Sequence, residues 1–168
     1  MKRVLAAVVA VSVSGLTALA QDSGAPPAIY KPGTEVMVEL DRAAASSASA
    51  GGWSVSVSPG VSVRRRSSAV AQFAIIHPYS VEIYRILEGS GTFVTGGVLE
   101  LPLAASTNSN LIRSEHGIRD GLARQVREGD ILVLQPGTPH WFRSIDSDSL
   151  TYMESRIQIT THPIQFQP

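Results

Sequence analysis

From Gly52 onward the chain alternates apolar and polar side chains with a period of two, in short runs of Val, Ile, Thr and aromatic residues broken by glycine or proline. Residues two apart on a strand share a face, so these runs predict half-buried strands. They fall at Trp53–Ser58, Val61–Arg65, Val70–Ile76, Val81–Leu87, Gly91–Thr95, Val98–Leu103, Gln125–Arg127, Ile131–Leu134, Trp141–Ile145 and Leu150–Ile159. Many short strands at regular spacing predict an all-β sandwich or barrel. Before Gly52 the period differs. Val36, Met37, Leu40 and Ala44 recur at helical spacing after a capping Thr34, which predicts a short helix over Thr34–Ala45. Gln21–Lys31, with Pro26 and Pro27, reads as an extended lead-in, and the Ser- and Ala-rich run Ala43–Gly52 as a mobile connection. The polar stretch Ala104–Gly121 is the longest predicted loop.

The first twenty residues have the layout of an export signal. Lys2 and Arg3 precede an apolar or small-residue run from Val4 to Leu19, and Ala18-Leu19-Ala20 supplies a small-x-small cleavage pattern. The mature chain is therefore expected to begin at Gln21, in the periplasm or outside the cell. Residues 21–52 form an N-terminal extension in this reading, and residues 53–168 a single β domain. The fourteen basic and fourteen acidic side chains balance, and without Lys2 and Arg3 the acids lead by two. Nothing in that balance suggests a nucleic-acid partner. The one basic cluster, Arg64-Arg65-Arg66, reads as a solvated strand edge, though one of the three could line a cavity mouth. With no cysteine there is no disulfide framework, thiolate metal site or thiol nucleophile.

Three residues carry candidate chemistry: His77 and Glu82 in HPYSVEIYRILEGSG, and His140 in GDILVLQPGTPHWF. Two imidazoles and one carboxylate suit a divalent metal with open positions for water, oxygen or substrate. The alternation puts Glu82 on the same strand face as Tyr84 and Ile86, opposite Val81, Ile83 and Arg85, and puts His140 with Phe142 and opposite Trp141. A carboxylate on such an inward face needs a cation or a proton. Gly89, Gly129 and Gly137 read as turn residues requiring permissive backbone angles. Glu115 and His116, in the long stretch, read as exposed loop residues with a lesser case for a place at the site. No nucleophile elbow and no phosphate-binding glycine loop occurs.

At these residues the chain resembles an exported bacterial single-domain cupin, the double-stranded β-helix or jelly-roll barrel, here with a short N-terminal helix. His77, Glu82 and Gly89 match the second histidine, the glutamate and the glycine of the first cupin motif. Gly129, Asp130, Gly137 and His140 match the second motif. The resemblance covers roughly residues 53 to 159. It implies a metal held by His77, Glu82 and His140, whether iron, manganese, zinc, nickel or copper, with iron slightly favoured. Two departures stand out. Ile75 occupies the place of the motif's first histidine, and Gln135 that of its usual proline, with Pro136 one place later.

The resemblance implies a metal-dependent enzyme on a small molecule, dioxygenase-like or isomerase- or lyase-like. A small-ligand-binding module without turnover and a structural protein are the alternatives. A homodimer is expected, and no membrane or nucleic-acid partner once the leader is removed.

Overall fold

The computed structural model describes residues 26–46 and 52–159. The export signal, the core of the Ala43–Gly52 connection and the tail holding His162 lie outside the described residues. Helix α1 spans Gly33–Ser46. The first strands are β1 (Trp53–Ser58), β2 (Val61–Ser67), β3 (Ala74–Ile76), β4 (Ser80–Glu88), β5 (Ser90–Thr95), β6 (Val98–Leu99) and β7 (Leu103–Ala104). They are followed by β8 (Ile112–Ser114), β9 (Ile118–Arg119), β10 (Leu122–Arg127), β11 (Ile131–Leu134), β12 (His140–Ile145) and β13 (Ser149–Gln158).

These strands form two main antiparallel sheets, ordered β1-β2-β13-β4-β11 and β10-β5-β12-β3-β8-β7, and a small third pair, β6-β9. Between the first two lies a core of Tyr84, Ile86, Leu134, Leu150 and Tyr152 from one sheet and Phe93, Val126 and Phe142 from the other. The edge strands do not pair across, so the expected barrel is two facing sheets rather than a closed ring. The chain changes sheet at each of the motif turns. Gly89, between β4 and β5, has φ +80°, and a Cβ there would meet the Ser149 carbonyl oxygen at 2.5 Å. Gly129 and Gly137 also have positive φ, as the turn reading expected.

Helix α1 lies on the outer side of the first sheet. Val36 and Leu40 are its buried residues, packed with Val55 and Val63 of β1 and β2. Because the helix continues through Ser46, the predicted connection begins too early: Ala43, Ala44 and Ala45 are good helix formers.

Two further expectations are corrected. The stretch Ala104–Gly121 is not a single loop, since β8 and β9 lie within it. Each is only two or three residues long and exists by pairing with β3 and β7, or with β6. The arginine triplet is not on a solvated edge either. Strand β2 lies between β1 and β13, and its alternation divides the triplet. Arg65 goes with Val63 toward the helix and pairs with Asp41 at 2.6 Å, while Arg64 and Arg66 go to the inner side.

Candidate metal centre

His77 follows β3, Glu82 lies in β4 and His140 opens β12, so the two sheets each contribute to one point. All three side chains are buried, with His77 4% and Glu82 1% exposed. One ligand atom from each lies within 4.8 Å of the others. Glu82 Oε2 is 3.4 Å from His140 Nε2, and Glu82 Oε1 is 3.7 Å from His77 Nε2. The alternation that pointed Glu82, Tyr84 and Ile86 inward holds, since each of the three is buried.

Backbone carbonyls orient both imidazoles. His77 Nδ1–H donates to the Asn110 carbonyl at 2.5 Å, and His140 Nδ1–H donates to the Thr138 carbonyl at 3.0 Å. A carbonyl only accepts, so Nδ1 carries the proton in each ring and Nε2 presents its lone pair to the centre. Burial keeps both rings neutral, lowering His77 below its ordinary value and bringing His140 to about 4. His77 Nε2 is buried without any hydrogen-bond partner. An orphaned lone pair facing a second lone pair and a carboxylate is a poor arrangement for a packed core and a good one for a cation.

Around this group stand residues that the cupin motifs do not mark. Tyr84 Oη is 3.2 Å from His140 Nε2 and 3.4 Å from Glu82 Oε1. Arg156 Nε donates to Glu82 Oε1 at 3.0 Å and its guanidinium also reaches Glu154, which in turn accepts from Arg64 at 2.9 Å. Burial raises the Glu82 carboxyl despite His77 and Arg156, whereas Arg64 and Arg156 outweigh burial at Glu154 and hold it low. Asn110 does more than orient His77. Its side chain also binds the Tyr79 N–H and the Ser80 hydroxyl, fixing the start of β4. Ile75 stands beside His140 in the β3–β12 pairing, so the place of a fourth ligand is filled by an apolar wall. Glu115 and His116 are exposed and do not line the cavity. Of the added residues, Tyr84 was marked in the sequence by sharing the face of Glu82, and Arg64 only as one of a triplet that could line a cavity mouth; nothing local marked Arg156, Glu154 or Asn110.

The two motifs thus meet across facing sheets, with their glycines at the crossovers and their ligand positions turned inward. The described chain is mostly β, with one short helix, in keeping with the cupin resemblance of its two motifs. No protein-family model matches this chain, and neither does any curated protein sequence. Similar solved structures include Peruvianin-I, a cysteine peptidase from Thevetia peruviana latex. It has a TM-score of 0.39 and 15% identity, over 60% of this chain and 52% of its own. Oxalate oxidase in complex with glycolate has a TM-score of 0.36 and 21% identity, over 60% of this chain and 43% of its own. Drosophila melanogaster CENP-C bound to CAL1 has a TM-score of 0.43 and 13% identity, over 74% of this chain and 98% of its own. This chain spans about half the length of the first two.

Proposed function

We propose that this protein binds a divalent metal through His77, Glu82 and His140 and uses it to act on a small molecule in the adjoining cavity. The observation that carries this reading is the pair of inward Nε2 lone pairs, one of them orphaned, set against a buried carboxylate. A metal bound there would supply Lewis acidity or, if iron, oxygen chemistry of the dioxygenase kind; isomerase or lyase chemistry needs the same ligands. The chain's own groups do the rest. The carbonyls of Asn110 and Thr138 fix the imidazole tautomers, Arg156 orients Glu82, and Tyr84 holds an O–H within reach of the ligand set. Ile75 and the aromatic floor of Tyr84, Phe93 and Phe142 keep that side of the cavity apolar. The leader suggests that the protein works after export, and the apolar edge of the first sheet suggests a homodimer.

A second reading has one observation in its favour. Arg156 already neutralises Glu82 at 3.0 Å, so the cavity is electrostatically tolerable without an ion and fits a binding module that performs no turnover.

Metal analysis tests the first reading. Untagged protein refolded or expressed with excess iron, manganese or zinc is expected to retain close to one ion per chain, and Glu82→Ala and His140→Ala to lose it while keeping their circular dichroism. Wild type without bound metal under these conditions overturns the metal-dependent reading and leaves the binding module.

A further inference from the structure

The cavity beside the ligand group is unusually rich in arginine. It has a volume of about 540 Å³, and Arg64, Arg66, Arg113 and Arg156 all line it. No aspartate or glutamate lines it among the described residues. Two of the four guanidinium groups are accounted for, since Arg64 and Arg156 pair with Glu154 and Glu82. Arg66 and Arg113 have no carboxylate partner among the described residues. Arg66 Nε donates to the Tyr152 hydroxyl at 3.3 Å. Arg113 donates to the Ala105 carbonyl at 3.1 Å and lies 4.9 Å over the Phe73 ring, and its Nε–H is buried with no acceptor at all.

Two partly buried cations without a carboxylate partner are costly, because neutral acceptors and a ring face offset only part of the charge and leave other N–H donors to the cavity. They come from different sheets, Arg66 from β2 and Arg113 from β8, so the fold assembles them at one cavity rather than inheriting them from one charged strand. A divalent ion on His77, Glu82 and His140 would add to the same positive potential. An anion relieves both.

The remaining lining tells what the anion is attached to. Phe73, Ile75, Leu111 and Trp141 form apolar wall, and Trp141 is held by its indole N–H donating to the Gln72 carbonyl at 2.8 Å. Inorganic phosphate would leave this wall uncovered, whereas an organic acid would place its body there and its carboxylate against the guanidinium groups that line the same cavity.

We propose that the cavity binds a small organic carboxylate through Arg66 and Arg113, beside the metal-ligand group. As the substrate class of the site, this rests on the metal-dependent reading; as a binding property it stands on the arginines alone.

The test compares acids with their neutral counterparts. Benzoate, phenylacetate, succinate and oxalate are titrated by calorimetry against benzamide, phenylacetamide, succinamide and oxamide. The full chain is used both metal-loaded and chelated, with inorganic phosphate at matched ionic strength. At least one acid is expected to bind wild type about tenfold or more tightly than its amide, and Arg113→Gln or Arg66→Gln to remove that preference. Arg119→Gln, at a side chain 70% exposed, is expected to leave it intact. Acids that bind no better than amides, or phosphate that binds as well as the acids, overturn the proposal. That comparison needs only wild type, so a variant that fails to fold does not blunt it. Metal held without acid preference sinks this inference alone; acid preference in a protein that holds no metal sinks the metal reading and leaves the carboxylate site standing.

Discussion

Burial brings the His140 imidazole from 6.5 to about 4, so the folded chain refuses a proton that the unfolded chain accepts. The sign follows from that depression. The contribution of His140 to stability is present in full above the unfolded value near 6.5 and is lost as the pH falls through the folded value near 4. The size of the shift corresponds to about 3 kcal/mol. Glu82 works in the opposite direction, because burial raises it and the folded state keeps its proton more readily as the pH rises. Comparing wild type with His140→Gln separates the two. In chelated protein, urea unfolding between pH 7 and pH 4 is expected to show a stability that falls with pH in wild type and falls less in the variant; parallel curves refute the buried neutral imidazole. That Glu82 and His140 face inward was legible in the sequence, because a period of two with Tyr84 and Phe142 as neighbours permits one inward face. The arginines were not legible in the same way. Three successive basic residues read as solvated until the strand is known to be internal, since only its two neighbours, β1 and β13, take its edges out of water.

At the scale of elements, the β4–β5 corner carries Glu82 into place, and Gly89 makes the corner possible. At φ +80° a side chain is strained in itself, and its Cβ would press on the Ser149 carbonyl. Gly89→Ala is expected to cost about 1–3 kcal/mol by urea denaturation. Gly33→Ala, at the start of α1 with open space around it, is expected to stay within about 0.5 kcal/mol. Equal losses would mean that the corner does not need glycine. Most strands were legible because each carries several alternating residues, and β1 and β11 begin and end where the pattern places them. Strands β8 and β9 were not, because two or three residues cannot display a period. Their strand character comes from partners distant in sequence, and with it comes Asn110, whose hold on His77 no local pattern announces.

Across the whole molecule, α1 covers β1 and β2 and its cluster takes in Leu87 of β4, while β11 stands at the far edge of that sheet. There Ile131 and Val133 are 64% and 57% exposed, on a strand that ends its sheet, and Ile157 of β13 is exposed as well. An apolar edge strand of this kind is a pairing surface, so light scattering is expected to report a dimer for wild type and a monomer for Ile131→Lys with Val133→Lys, with metal content unchanged. A wild-type monomer overturns the expectation. The β class, the strand periods, the crossover glycines and the inward facing of Glu82 and His140 are written in spacing along a few neighbouring residues, and so could be read before any fold was known. That the sheets stay open, that Arg156 and Glu154 stand behind Glu82, and that arginines from two sheets line one cavity came only with the folded arrangement of the strands. Those are contacts between strands far apart in the chain, and which charges meet there depends on strand order and register, which local alternation does not specify.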